Sequence, residues 1–253
     1  MHDSARKTAL AFFDEYSLHG PIEVLEIGAI NVNGGLRESF SDEMRWVGVD
    51  LKSGAGVDVV LNDPYALPFA DKEFDVAIAT SVFEHDEMFW LSFLEMVRVV
   101  RKGGFVYLCS PSNGNIHRYP VDCYRFYPDA GAALAKWARR SGYEITLLES
   151  FVLRQDASQW NDWCAIYFIG DKNEAPAFSN RLTKKLKPYS IGVGEMSLEE
   201  LPAEEPTQDQ RDLHRLTLKT YRALLELPVR LSRRIGKWIS DTVSFRKSRR
   251  NAK

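Results

Sequence analysis

The sequence predicts an α/β fold: a doubly wound sheet with helices on both faces, followed by a helical extension toward the C-terminal end. Two observations predict it. From residue 24 onward, short apolar runs alternate with helical or polar stretches, and several runs are apolar on both faces, as a strand covered by helices on each side is. After Gly170 this alternation stops, and a helical pattern resumes only at Arg211.

The elements follow in order. Ala5 to Tyr16 contains neither Gly nor Pro and places Leu10, Phe12, Phe13 and Tyr16 at helical spacing; Gly20-Pro21 ends it. VLEIG (24–28), WVGVD (46–50), VDVVL (57–61), FDVAIAT (74–80) and GFVYLCS (104–110) read as strands, with two more at 143–151 and 163–169, giving seven. Between them, Glu87 to Val100 and the Ala-rich segment Asp129 to Arg140 read as helices. Such alternation builds a doubly wound sheet with its ligands beyond the carboxyl ends of the strands. Residues 1–170 therefore form the predicted domain. Residues 171–210, with Pro176, Pro188, Pro202 and Pro206, read as an irregular linker, and residues 211–253 as a basic, helical tail interrupted at Pro228.

Composition narrows the function classes. Hydrophobic residues make up 45% of the 253 residues and charged residues 27%, enough apolar material for a core, which excludes collagen-like and wholly disordered chains. No apolar run is long enough to predict a spanning helix, and the acids near the N-terminus do not fit a signal peptide. Three cysteines (Cys109, Cys123, Cys164) without C-x-x-C spacing signal neither a disulfide framework nor a zinc knuckle, so the expected location is cytoplasmic.

Two features at the strand ends point to a nucleoside ligand. Gly28 closes the first strand and Asn33-Gly34-Gly35 follows, which lets the backbone come close to a ligand. Asp50 ends the second strand, where a carboxylate can accept both hydrogen bonds of a ribose diol. Taken singly, each also fits a tight turn or a solvated acid.

Four segments, VLEIGA (24–29), VGVDL (47–51), NDPYALPFADKEFDVAIATSVFEH (62–85) and LEMVRVVRKGGFVYLCSPS (94–112), resemble the motifs of class I S-adenosylmethionine-dependent methyltransferases, in the group acting on small molecules and glycans. They occur in the family's order and spacing across about the first 170 residues. The resemblance implies the Rossmann-like, seven-stranded fold of that class and S-adenosyl-L-methionine as cofactor. It implies that Glu26 and Gly28 lie under the methionine part, that Asp50 binds the ribose with Leu51 against the adenine, that Asp63, preceded by Asn62, accepts from the adenine amino group, and that Ser81 and Val82 line the pocket. One departure stands out: the family's G-x-G-x-G is replaced here, since Ile30 and Val32 follow Gly28, and the loop is reshaped around Asn33-Gly34-Gly35.

The acceptor side is expected after the fourth and fifth strands. Glu84-His85-Asp86 can supply a base and its orienting carboxylate, or a helix cap. The loop SPSNGNIHRYPVDCYRF (110–126) resembles an H-x-x-P-x-D-x-x-R-F segment of methyltransferases in glycan and secondary-metabolite synthesis. It offers His117 and Asp122 for a sugar hydroxyl and Tyr119, Tyr124 and Phe126 for stacking, while Arg125 is expected to pair with Asp122. The catalytic candidates are thus His85, His117 and Asp122. Hard cations take oxygen ligands, but nothing in the sequence makes Glu84, Asp86, His117 and Asp122 converge, and no metal is assigned. Trp160, Asn161, Asp162 and Trp163 fit a substrate wall or plain packing.

Charge divides the chain. Residues 207–253 carry 13 Lys/Arg and 4 Asp/Glu, and residues 1–206 carry 20 and 31. The stretch 228–250 mixes Val229, Leu231, Ile235, Trp238, Ile239, Val243 and Phe245 with basic residues, which suits the interface of an anionic membrane at its inner face, or docking on a protein surface. Nucleic acid is not expected with an acidic body. The leading expectation is O-methylation of a sugar or glycan intermediate. The alternatives are a methyltransferase of a lipid or secondary metabolite, and a binding module on the cofactor fold that does not catalyse.

Overall fold

Strand residues alternate between two apolar cores, one on each face of a single sheet. Leu25, Ala77, Val106, Ala165 and Tyr167 enter one core, and Val24, Val76, Ile78, Tyr107 and Ile166 the other, as the two-residue period of a strand requires. The structure, a computed structural model, describes residues 3–16, 18–31, 34–40, 43–154, 161–175, 181–186, 190–191, 207 and 209–223.

The elements are α1 (Asp3–Glu15), β1 (Glu23–Ile27), β2 (Arg45–Asp50), β3 (Val59–Val60), β4 (Phe74–Thr80), α2 (Phe89–Val99), β5 (Val100–Pro111), α3 (Ala130–Arg140), β6 (Thr146–Arg154), β7 (Asn161–Phe168), α4 (Leu182–Leu186) and β8 (Ser190–Ile191). The sheet order is β3-β2-β1-β4-β5-β7-β6-β8. Strands β1 to β5 pair in parallel, β7 runs antiparallel to both β5 and β6, and β8 antiparallel to β6. The seven expected strands are present in a doubly wound sheet of the class I methyltransferase type, with β8 as a short eighth at the edge. The antiparallel direction of β7 follows from its short connection: β6 ends at Arg154 and its partner β7 begins at Asn161, and a parallel return would need a crossover of about a dozen or more residues.

Helices α2 and α3 cover one face through Phe93, Met96, Val97, Leu134, Ala135 and Ala138. Helix α1 covers the other through Phe12, Phe13 and Tyr16, with Phe12 stacked 4.9 Å from Tyr107. Burying side chains of this size contributes about 1.5–3 kcal/mol each.

The third expected strand is shorter than 57–61. Gly54 and Gly56 bring the chain back against the first loop, where Val57 N–H donates to Gly54 O, and the strand register with β2 is confined to Val59 and Val60, flanked by bonds from Asp58 N–H to Gly48 O and Leu61 N–H to Asp50 O. The stretch read as linker contains α4 and β8. Buried Glu149 on β6 accepts the Tyr16 hydroxyl at 2.7 Å and the first main-chain N–H groups of α4, Leu182 at 3.0 Å and Thr183 at 2.9 Å. One carboxylate thereby ties α4 to β6 and α1, a tertiary cause that local composition does not carry.

Residues 1–201 form one compact unit and 202–253 a second. In the second, residues 209–223 are helical, with Leu213, Leu216, Leu218 and Tyr221 exposed. The amphipathic stretch from Pro228 to Phe245 lies outside the described residues, as do Val32, Asn33 and Trp160. Among the described residues no helix is long and apolar enough to cross a membrane.

Candidate active site

The order of the sheet reverses between β1 and β4, and the loops leaving their carboxyl ends part there to form the crevice of a doubly wound fold. Gly28 sits at this point with φ +74°, and a Cβ added to it would lie 2.3 Å from Cγ2 of Val82, just past β4. Only glycine lets the two loops approach so closely. Ser81 beside Val82 has φ +56°, a strained value for a side-chain-bearing residue, and its N–H donates to Cys109 O at 2.8 Å. Backbone strain of this kind collects at ligand sites.

Asp50, at the end of β2, holds the first loop. Its Oδ2 accepts Ile30 N–H at 3.2 Å and its Oδ1 accepts Leu51 N–H at 2.7 Å. Oδ1 also accepts Lys52 N–H at 3.4 Å, which leaves Oδ2 as the oxygen with the clearer acceptor capacity. Leu51 is 52% exposed, an apolar side chain at the mouth of the crevice. Asn62 and Asp63 lie exposed beyond β3, and Asp63 Oδ1 accepts Tyr65 N–H at 2.8 Å. Glu26 lies under the first loop, on the α1 side, where its Oε2 accepts Trp46 Nε1–H at 2.6 Å; burial pushes its pKa up to about 7. In the reshaped loop, Asn31 Oδ1 accepts Gly34 N–H at 2.7 Å and Glu38 Oε2 accepts Gly35 N–H at 3.1 Å. Side chains on either side, Asn31 and Glu38, thus hold the main chain at Gly34 and Gly35.

The turn after β4 and the loop after β5 are joined. Glu84 O accepts Cys123 N–H at 2.7 Å, and His85 Nδ1 lies 2.5 Å from Val121 O. The His85 and His117 rings meet edge to face with centroids 4.8 Å apart. Burial lowers the pKa of His85, reinforced by the nearby His117 and partly offset by the Val121 carbonyl, so its imidazole is neutral near pH 7. Asp122 accepts His117 N–H at 2.6 Å and a two-pronged contact from Arg125 at 2.6 and 2.8 Å. Its side chain is 1% exposed, and the Arg125 guanidinium holds its carboxyl well below the usual range. The expected Asp122–Arg125 pair is present. Asp122 positions His117 and is closed to direct contact with an acceptor.

Glu84 is fully buried, and burial pushes its pKa up to about 8 despite Ser110 and Arg125 nearby. Its Oε1 lies 3.7 Å from His85 Nε2. Asp86 is not the orienting group of His85: it accepts Met88 N–H at 2.9 Å and the Ser92 hydroxyl at 2.5 Å, at the start of α2. The group that does orient His85, the Val121 carbonyl, is a main-chain atom and leaves no mark in the sequence. Of the stacking candidates, Tyr119 is exposed, Tyr124 donates its hydroxyl to Glu87 O at 3.0 Å, and Phe126 stacks on Trp163. Trp163 is fully buried and donates to Ser150, so it packs and does not wall an acceptor pocket.

Residues 26–108 match the family described as a methyltransferase domain. Among solved structures, the chain is similar to a 1,6-didemethyltoxoflavin-N1-methyltransferase of Burkholderia thailandensis determined with 1,6-didemethyltoxoflavin and S-adenosylhomocysteine. The two are 17% identical, 67% of this chain and 80% of that one are covered, and the TM-score is 0.54. It is also similar to a SAM-dependent methyltransferase of Methanosarcina mazei, at 15% identity, 63% and 98% coverage and a TM-score of 0.45. No curated protein matches. The sheet is thus of the class I S-adenosylmethionine-dependent methyltransferase type, and its residues 26–108 match a methyltransferase domain. The domain match and the neighbour with bound S-adenosylhomocysteine indicate S-adenosyl-L-methionine as the cofactor.

Proposed function

We propose that the enzyme methylates a hydroxyl group of a sugar or glycan intermediate, with His85 and His117 facing the acceptor. The observation that carries this reading is the pair of imidazoles, 4.8 Å apart, at the carboxyl ends of β4 and β5 beside the β1/β4 crevice. The crevice suits the cofactor because it opens at the carboxyl ends of β1 and β4, where a doubly wound sheet binds its ligand, with Gly28 packed directly against Val82. Asp50 would hold the ribose and Leu51 would cover the adenine, with Asn62 and Asp63 at its amino edge. Gly28 and Ser81 would line the methionine part, and Glu26, through Trp46, would support the loop beneath it.

Bound there, S-adenosylmethionine supplies an electrophilic methyl group. The protein's own work is positioning, exclusion of water and handling of one proton. With Nδ1 committed to Val121 O, neutral His85 presents Nε2 to accept the acceptor's proton. His117, held through its main chain by Asp122, would bind the same hydroxyl or its neighbour. Exposed Ile116, Tyr119 and Tyr127 around the loop offer apolar and aromatic faces to a ring.

The test is methyl transfer from labelled S-adenosylmethionine to a panel of sugars, nucleotide sugars and lipid-linked glycans, with the product mapped by mass spectrometry. An O-methylated sugar is the expected product; labelling of amines or non-sugar metabolites alone rejects the acceptor class. A second reading, a lipid-borne acceptor, draws on the basic residues of 207–253, which would bring the enzyme to an anionic membrane surface.

A further inference from the structure

We infer that Glu84, His85 and His117 form a binding site for one divalent cation of the zinc class on the acceptor side of the crevice. One donor atom from each residue lies within 4.8 Å of the other two. A zinc ion about 2.0–2.2 Å from each nitrogen and oxygen donor would draw them together by about an ångström. His117 can supply that movement: its side chain is 35% exposed, against 14% for His85 and 1% for Glu84.

Features beyond the spacing of the donor atoms favour a cation here. Both oxygens of Glu84 are buried without a hydrogen bond of normal geometry among the described residues. A carboxylate so placed is costly unless a charge compensates it, and the nearby Arg125 directs its contacts to Asp122. His85 is oriented through Nδ1 by the Val121 carbonyl, and Nδ1 of His117 lies 3.4 Å from Asp122 Oδ2. Ligand histidines are held in this way, by a carbonyl or carboxylate on the second ring nitrogen. Asp122 is fixed in turn by Arg125, so the supporting shell is built and rigid.

The donor chemistry selects the ion. Two imidazoles and one carboxylate suit zinc, iron, cobalt or manganese better than magnesium or calcium, which prefer oxygen. Three protein ligands leave a position for an exogenous oxygen, the arrangement of a catalytic site. The inference rests on the acceptor-side reading and changes the role of the two histidines within it, from proton acceptors to ligands. An acceptor hydroxyl in the open position would release its proton to solvent at lower pH. Its oxygen then bonds to the methyl carbon as the carbon–sulfur bond breaks, and the electron pair stays on sulfur.

The test is calorimetric titration of the full chain with zinc chloride after chelator treatment, without cofactor or acceptor. Exposed Cys123 is replaced by serine in every sample, to remove a competing thiol. One ion per chain is expected, with affinity reduced 10-fold or more by Glu84→Gln, His85→Ala and His117→Ala. Asp122→Asn, acting through His117, should weaken binding about 10–100-fold. His117→Ala decides the matter if the buried variants fail to fold, because its side chain lies at the surface of the loop. Absence of stoichiometric binding to the Cys123→Ser chain, or an unchanged affinity in folded His117→Ala, overturns the site. Neither result bears on methyl transfer, which the acceptor panel reads separately.

Discussion

Nδ1 of His85 lies 2.5 Å from the main-chain oxygen of Val121, so the loop after β5 orients a side chain delivered by β4. The two loops cannot move independently without losing that contact and the bonds from Cys123 and Tyr124 N–H to Glu84 O. The two loops are therefore one unit, held by main-chain atoms and braced by the Asp122–Arg125 pair.

From this follows the first prediction. His85→Ala and His117→Ala should each lower turnover on the natural acceptor by about 10²–10⁴-fold, while S-adenosylhomocysteine binds as in the wild type, since neither ring lies among the cofactor-facing residues. Steady-state kinetics paired with calorimetry measures both. Full activity in both variants would move the acceptor site elsewhere.

Gly28→Ala should disable the cofactor crevice. The left-handed backbone costs a side-chain-bearing residue about 1–2 kcal/mol, and the new Cβ would meet Val82 Cγ2 at 2.3 Å. A lower melting temperature and weaker S-adenosylhomocysteine binding are expected. Adding Val82→Ala should restore part of both by removing the clash; no recovery in the double variant would show that the Gly28–Val82 approach does not shape the crevice.

Glu26 gives a pH signature. Its folded pKa, about 7, is raised by burial above the ordinary 4.5, so the folded state holds a proton that the unfolded state releases between those values. The stability it contributes is full below pH 4.5 and is lost as pH rises toward 7, by up to about 3 kcal/mol. Glu26→Gln keeps an acceptor for Trp46 Nε1–H and removes the titration. Melting temperatures recorded from pH 4.5 to 7.5 should fall less steeply in the variant than in the wild type; parallel curves would contradict the assignment.

The basic segment makes a separate prediction. With 13 Lys/Arg against 4 Asp/Glu in residues 207–253, and about 1 kcal/mol per basic residue near an anionic surface, the full chain should co-sediment with phosphatidylserine vesicles at low salt. It should release at high salt as screening shortens the range. A chain ending at Leu227 should stay in the supernatant, and equal sedimentation of the two would reject the surface role.

The sequence exposed the sheet because strand periodicity and the order of the motifs are local signals: VLEIGA, VGVDL and FDVAIAT each carry their own apolar pattern. Gly28 and Asp50 were legible for the same reason, since each closes a strand. What escaped was tertiary. The helix at Leu182 depends on Glu149, some 33 residues earlier, accepting its first N–H groups. Glu84, read as an orienting or capping acid, becomes notable only once its burial is known. Asp86, its neighbour in sequence, turns instead toward Ser92 at the start of α2. The sequence groups Glu84, His85 and Asp86 as a base with its orienting carboxylate, whereas the His85 ring is oriented by Val121 and meets His117, 36 and 32 residues further on.

The central claim, a S-adenosylmethionine site between β1, β2 and β4, is tested most directly by calorimetric titration of the full chain with S-adenosylhomocysteine, alongside Asp50→Ala. One equivalent should bind the wild type, and the variant should lose about 1–3 kcal/mol of binding energy, because a hydrogen-bond partner of the ribose is removed. Absence of binding to the wild type, or identical affinity in a folded Asp50→Ala chain, would contradict the site as built here.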